Sequence, residues 1–305
     1  MKKGGTVWVL GASSGLGLAT AEAFAKDGWL VVAGARSFTA EKDGAEEKDK
    51  DGKPPGNPAL WVRLKAMPGA RLLPLDATDA ASCADFVRHA LSISDRVDVL
   101  CYAAGILALG SCEETGYDQY ELVMKTNFLG MTRMVEAVLP LMRKQRHGRI
   151  ILFSSLNGVM GIPFQSAYTA SKHAIEGFAE CLALEVSPFG IEVCVVEPGD
   201  HRGGSPKYRF TAGGREGSPY AGEYASACQT IHRDEANGLE PEALGQKVVH
   251  NADRRKMRYR LRVAKLDQRA ALWLRAVFWP GFIRMILRGY YVKKPNASDS
   301  KERVA

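Results

Sequence analysis

The chain has 305 residues, 46% hydrophobic, 9% aromatic and 25% charged, which supports one sizeable core and excludes a disordered or fibrous protein. The formal charge is +7, yet fifteen Lys/Arg against four Asp/Glu fall between Asn251 and Ala305, so the tail is strongly basic and the rest mildly acidic. Such a tail fits a solvated charged surface better than a nucleic-acid site, because no nucleic-acid motif accompanies it.

In chain order, Thr6–Leu10 (TVWVL) reads as a buried strand. It is followed by a glycine turn over Gly11–Gly17, a helix over Leu18–Asp27 ended by Gly28, and a strand over Trp29–Ala33. From Thr39 to Pro58 the composition turns charged, with Gly and Pro and almost nothing apolar; segment 39–58 reads as a mobile loop insertion. Helical character resumes at Leu60–Ala66, then come a strand at Arg71–Leu75, a helix at Ser82–Leu91 and a strand at Val97–Tyr102. A long helical pattern covers Tyr117–Met142, a strand Arg149–Ser154, a helix Tyr168–Val186 and a strand Ile191–Val196. The stretch His201–Glu223 is rich in Gly, Pro, Ser and Arg and reads as a long flexible loop. A helix over Glu240–Asn251 and a last strand over Met257–Val263 complete the pattern. Strands alternating with helices imply an α/β fold: a parallel sheet covered on both faces.

Other classes are disfavoured. The six cysteines (Cys83, Cys101, Cys112, Cys181, Cys194, Cys228) form no CxxC pair and no zinc spacing, so a reduced, cytoplasmic protein without metal is expected. The apolar run Val7–Leu10 is too short for a signal peptide. Arg275, Pro280, Arg284 and Arg288 break the stretch Ala270–Tyr291, which is therefore no transmembrane helix.

Three groups of residues carry chemistry. Gly11, Ser13, Ser14, Gly15, Leu16 and Gly17 form the turn GASSGLG between a strand and a helix. There the backbone can approach a pyrophosphate, and the helix N-terminus supplies free N–H groups. After the second strand, where an acidic residue would bond a ribose 2′-hydroxyl, stands Arg36. Its guanidinium suits a 2′-phosphate, so NADP(H) is preferred, with NAD(H) as the alternative; Ser13 offers a further hydroxyl. Tyr168 and Lys172 lie four apart on one helix face, thirteen residues after Ser155 at a strand end. An ammonium beside a phenol favours the phenolate and suits the tyrosine to proton transfer.

The glycine turn, the Ser155–Tyr168–Lys172 spacing and Pro198-Gly199 together resemble the short-chain dehydrogenases/reductases, closely over Thr6–Gly199. The resemblance implies a single Rossmann-like doubly wound domain of about seven strands over 1–265, with a substrate lid at 200–238 and a basic, aromatic C-terminal extension at 266–305. It implies Tyr168 as proton donor or acceptor, Lys172 holding the nicotinamide ribose and lowering the Tyr168 pKa, and Ser155 orienting the substrate oxygen. It implies further that Asn127 anchors a relay water. Asp76, Ala77, Ala103, Ala104, Gly105, Pro198 and Gly199 would contact the cofactor. Three positions depart from the pattern. Leu10 replaces a Thr, Tyr102-Ala103 replaces an Asn pair, and the Thr expected after Pro198-Gly199 is absent from Asp200-His201-Arg202-Gly203-Gly204-Ser205. Altered packing at Tyr102 is expected, and Ser205 or backbone is the candidate substitute. His173 and His201 are set aside, since a lone histidine is more often structural.

The segment Leu152–Tyr168, the insertion and the tail are most similar to the 17β-hydroxysteroid/retinol dehydrogenase branch, which implies a hydrophobic alcohol/carbonyl substrate (steroid, retinoid or lipid-like). The alternative is a catalytically idle NADP(H)-sensing or scaffold protein on the same fold. Helices Leu122–Met142 and Tyr168–Val186 are expected to pair in a homodimer or homotetramer. Trp273, Phe278, Trp279, Phe282 and Tyr290 are expected to fill the core beside the site, in preference to lying in a membrane interface.

Overall fold

The computed structural model describes residues 4–38, 58–203, 209–215, 217–278 and 280–292. Its centre is a seven-stranded, wholly parallel sheet. In chain order the strands are β1 (Thr6–Leu10), β2 (Leu30–Ala35), β3 (Ala70–Pro74), β4 (Val99–Tyr102), β6 (Gly148–Phe153), β7 (Ile191–Pro198) and β9 (Arg260–Val263). They lie side by side as β3-β2-β1-β4-β6-β7-β9. The reversal of winding at β1 opens a crevice at the carboxyl ends of the strands, where ligands of such sheets bind.

The strands are apolar on both faces because both are covered. Val7 and Val9 face helices α1 (Gly15–Lys26) and α8 (Pro241–Asp253), where Phe24, Leu244 and Val248 fill the layer. Trp8 and Leu10 face α3 (Ala80–Ile93), α5 (Gly130–Gln145) and α6 (Ser166–Val186), with Phe86, Met134 and Ile175. Trp8 and Phe86 meet edge to face at 5.5 Å, a favourable aromatic geometry. Helix α3 starts because the Asp79 carboxylate accepts from the Ala81 N–H at 2.8 Å, capping a free donor of the first turn.

Strand β9 explains the basic–apolar alternation of Met257–Val263. Arg260 and Arg262 both pair with Glu197 of β7, which is fully buried; Arg260 also bonds Glu176 of α6 at 3.0 Å. A buried carboxylate needs such partners, so the arginines fasten the edge strand to the sheet.

Boundaries differ from the sequence expectation in instructive places. Helix α1 begins at Gly15, three residues early, because the backbone turns from extended to helical after Ser14 and both later glycines join the first turn. The insertion expected at 39–58 lies outside the described residues up to position 57, and Pro58 opens α2 (Pro58–Lys65). The loop expected over His201–Glu223 contains a strand, β8 (Arg209–Thr211), and the start of α7 (Ala221–Ala236). Strand β8 pairs in parallel with β5 (Leu107–Leu109), with Leu107 opposite Arg209. Both strands are three residues long, too short to show a period. The single long helix expected at Tyr117–Met142 is α4 (Tyr117–Met124), a π-helical turn over Lys125–Leu129, and α5. The tail forms α9 (Leu266–Val277) and α10 (Pro280–Tyr291).

Candidate active site

Every strand from β1 to β7 that lines the crevice ends on a residue singled out from sequence. After β1, Gly11 adopts φ +85°, and a Cβ there would run into the backbone of Ala103 and Ala104 at the end of β4. A Cβ on Gly17 would strike the Gly11 carbonyl. At Gly15, by contrast, φ is +54° and nothing lies within 4 Å of a built Cβ. The turn is packed tightly beneath and open above. Ser14 makes no side-chain cap, leaving the first-turn N–H groups of α1, beginning at Gly15 and Leu16, for an anion. Ser13 is buried in the same turn.

At the end of β2, Arg36 is exposed and Ser37 half-buried. The Ser37 hydroxyl is enclosed and has no hydrogen-bond partner among the described residues, a costly arrangement that a bound group would relieve. The sequence signal for Ser37 is its place beside Arg36. After β3, the Asp76 carboxylate accepts from the Thr78 N–H at 2.9 Å and its hydroxyl at 2.7 Å. The Ala77 carbonyl takes Arg133 Nη1 at 2.9 Å.

Asn127 sits in the π-helical turn, fully buried. Its Oδ1 accepts from the Ile106 N–H at 2.8 Å, and its Nδ2 donates to the Ile106 carbonyl at 3.0 Å and Ser171 Oγ at 2.9 Å. Gly105 is wedged between Asn127 and Lys172, with Lys172 Nζ 3.7 Å from where a Cβ would stand. Tyr102, in place of the asparagine, is buried and donates to the Thr126 carbonyl at 2.6 Å. This is the altered packing expected there.

Ser155, Tyr168 and Lys172 come together as predicted. Ser155 heads a short 3₁₀ turn, its Oγ accepting from the Asn157 N–H at 3.2 Å, and hydrogen-bonds the Tyr168 phenol. Lys172 is buried; its Nζ donates to the Phe153 carbonyl at 2.7 Å and lies 5.4 Å from the Tyr168 ring centre. Burial pushes the Tyr168 phenol up to about 12, with Ser155 opposing the rise, Glu235 adding to it and Arg209 opposing it. The Lys172 ammonium lies over the Tyr168 ring and donates to the Phe153 carbonyl. Lys172 itself is pushed down to about 8 by burial, against the pull of Glu176.

Two features of the site were not read from sequence. Arg209 of β8 pairs with Glu235 of α7, and both act electrostatically on Tyr168. The second is the seat of Gly199. A Cβ there would strike Gln268 of α9, whose Nε2 donates to the Asp200 carboxylate. Burial, then Asp234 and Glu235, push Asp200 up to about 6. His201 is buried and bonds the Gly199 carbonyl at 2.9 Å through Nδ1. Ser205 lies outside the described residues.

The tail corrects the expected burial of its aromatics. Trp273, Phe278 and Tyr290 are 63%, 44% and 46% exposed, Phe282 is half-buried, and Trp279 lies outside the described residues. Aliphatic residues and one tyrosine do the covering instead: Leu272, Leu287 and Tyr291 pack with Leu156, Met160 and Ile162 beside Ser155.

Comparison with known proteins agrees with this geometry. The chain matches the short chain dehydrogenase family over residues 5–205. It is 34% identical over 288 residues to a 3-ketodihydrosphingosine reductase of Bacteroides thetaiotaomicron, covering 93% of this chain and 97% of that protein. It is 32% identical over 273 residues to dehydrogenase/reductase SDR family member 7B of Xenopus laevis, covering 89% and 77%. The crystal structure of a short-chain dehydrogenase from Streptomyces avermitilis superposes with a TM-score of 0.74 at 26% identity, covering 99% of this chain and all of that one. The chain belongs to the short-chain dehydrogenase/reductase family and is an oxidoreductase acting on CH–OH groups.

Proposed function

We propose that the protein is an NADP(H)-dependent reductase of a hydrophobic, lipid-like ketone or aldehyde. The observation that carries this reading is the convergence of Ser155, Tyr168 and Lys172, with Ser155 beside the Tyr168 phenol and Lys172 Nζ 5.4 Å from its ring centre. The phenol is protonated at neutral pH, and a carbonyl oxygen bonded to Ser155 would lie within its reach to take that proton.

The turn at Gly11–Gly17 and the α1 N-terminus would hold the pyrophosphate, Arg36 and Ser37 the 2′-phosphate, Asp76 and Ala77 the adenine. Ala103, Ala104, Gly105, Lys172, Pro198 and Gly199 would hold the nicotinamide riboside. The open space above Gly15 and the unpartnered Ser37 hydroxyl fit that group. When bound, it supplies the hydride. Ser155 fixes the carbonyl oxygen against Tyr168, which gives it a proton. Lys172 stands next in line, and Asn127 holds the π-helical turn beside it, through which the proton is replenished. The apolar group of Leu156, Met160, Ile162, Leu272 and Leu287 supports a lipophilic substrate. The ketone specified by the name of the Bacteroides relative is the first to try.

On the same reading the chain is cytoplasmic and pairs as a homo-oligomer through the groove between α5 and α6, lined by Leu139, Phe178, Leu182 and Phe189. Among the described residues no helix is long and apolar enough to cross a membrane.

The test is the dissociation constant for NADPH and NADH, for wild type and Arg36→Ala, followed by a long-chain carbonyl screen with Tyr168→Phe as control. NADPH preference that falls about 10- to 100-fold in Arg36→Ala, the worth of a charge-assisted pair, supports the reading. Tighter NADH binding overturns the cofactor assignment, and binding of neither favours the idle-scaffold alternative.

A further inference from the structure

Of the eleven large hydrophobic side chains exposed among the described residues, seven fall between Leu266 and Tyr290. They are not scattered. On α9, Trp273 and Val277 stand one turn apart and exposed, while the neighbouring Leu272 is buried. On α10, Met285 and Ile286 face outward, and half-exposed Tyr290 is tied to α7 through Asp234 at 2.8 Å and Arg233 at 3.1 Å, while Ile283, Leu287 and Tyr291, spaced by four, face the body of the protein. Phe278 and Phe282 meet at 5.1 Å at the corner between the helices, joining the two outer faces into one apolar surface. Monomeric soluble proteins rarely leave so concentrated a patch uncovered.

The rim of this patch is basic. Arg269, Arg275, Arg284 and Arg288 are all exposed, and Asp267 is the single acid between Leu266 and Tyr291. Arg288 pairs with Glu223 at 2.6 Å; Arg269, Arg275 and Arg284 form no ion pair among the described residues. A second copy of the chain is a poor occupant, since a two-fold interface would set one basic rim against another with a single acid, Asp267, on the two helices to offset it. Bulky apolar side chains at the centre, with aromatics and arginines around them, match the chemistry of an anionic lipid interface.

We propose that the outer faces of α9 and α10 form a docking surface for an anionic bilayer, on which the protein lies without spanning it. The inner faces of the same helices cover Ser155 and its apolar neighbours, so docking sets the site directly behind the membrane-facing layer. The docking itself is independent of which substrate is reduced.

The experiment is co-sedimentation of the full chain with vesicles of phosphatidylglycerol and phosphatidylcholine, or of phosphatidylcholine alone, at low and high salt. The expected result is binding to the anionic vesicles that weakens with salt and is slight on phosphatidylcholine. Arg275→Glu/Arg284→Glu should weaken it at least about tenfold, as each arginine near an anionic surface is worth about fivefold. Trp273→Asp/Ile286→Asp should abolish it, and Leu184→Asp, exposed on α6 away from the patch, should leave it unchanged. Circular dichroism and NADPH binding confirm that each variant is folded. A protein that stays in the supernatant with anionic vesicles at low salt, or variants that bind like wild type, overturns the proposal. Loss of a dimer in Trp273→Asp/Ile286→Asp, with no vesicle binding by wild type, overturns it too and gives the face to a second copy.

Discussion

The Tyr102 hydroxyl donates to the Thr126 carbonyl at 2.6 Å, and the two meet because the helix between α4 and α5 skips a bond. The Gly130 N–H reaches back five residues to the Lys125 carbonyl, where a regular α-helix would have it bond Thr126. Tyr102 supplies the donor that the helix withholds, one residue before Asn127. Tyr102→Phe leaves that carbonyl without its partner in a dry setting. The expected cost is about 1–3 kcal/mol, read as a lower denaturant midpoint with unchanged slope. Turnover should fall as well, because the π-helical turn that carries Asn127 loses its brace.

Lys172 is pushed down to about 8, so it carries a charge at neutral pH and loses it as pH rises through that value. If the ammonium is required, kcat/KM for carbonyl reduction holds on the acid side and falls above about pH 8. Tyr168, near 12, sets no limb in that range. The pH profile of wild type against Lys172→Arg tests this. The arginine remains charged, so its alkaline limb should vanish even where its rate is lower. A limb at the same pH in Lys172→Arg assigns the titration to another group.

Asp200 behaves oppositely to a salt-bridged carboxylate. Its folded value, about 6, lies above its ordinary 3.8. Between those values the folded state binds more protons than the unfolded one, so this group makes stability fall as pH rises from about 4 to 6. Above 6 the full penalty of the desolvated charge is present. Asp200→Asn keeps an acceptor for Gln268 and removes the charge. Thermal unfolding should show the variant stabilised at pH 7.5, by up to about 3 kcal/mol, with the gain shrinking towards pH 4. An equal effect at both pH values would deny the titration.

Arg209 and Glu235 form an ion pair that acts on Tyr168, with the Arg209 side chain 10% exposed. Removing one partner leaves the other's charge desolvated. Arg209→Met therefore leaves Glu235 acting on the phenol alone, raising it further and weakening its bond to substrate oxygen. The expected signature is a fall in kcat/KM of about tenfold or more, with the NADPH dissociation constant unchanged. A matching loss of NADPH affinity would place the pair on the cofactor instead.

The central sheet was legible because each buried strand is a short apolar run closed by a glycine or a polar residue, and the helices between keep their own period. The four catalytic candidates were legible for a different reason. Ser155, Tyr168 and Lys172 are spaced by one strand end and one helical turn, and Asn127 by its place in a familiar order. What escaped was set by contacts distant in sequence. Strand β8 exists because Leu107 lies opposite Arg209, and the Arg209–Glu235 pair needs α7 folded against it. The outward turn of Trp273 and Tyr290 was hidden too, since an amphipathic stripe does not say which side is covered. Lys172 showed the limit of spacing alone: four residues put it on the right face, but the Phe153 carbonyl decides where its ammonium rests.

Helix α8 lies so close to α1 that a Cβ on Gly245 would stand 2.5 Å from the Ala19 carbonyl. The partners are separated by more than two hundred positions in the chain. During synthesis the glycine turn and α1 therefore emerge long before the helix that shields them. Until Leu244 and Val248 leave the ribosome, the face carrying Leu18, Ala21 and Phe24 lacks the cover of α8, although Phe24 already has Trp29 beside it. A nascent chain arrested before residue 240 should thus be a client for a chaperone, and a proteolytic cut after α7 should release the nucleotide-binding half unfolded. Sequence order and assembly order run in opposite directions here, and a helix made late in synthesis closes the first one made.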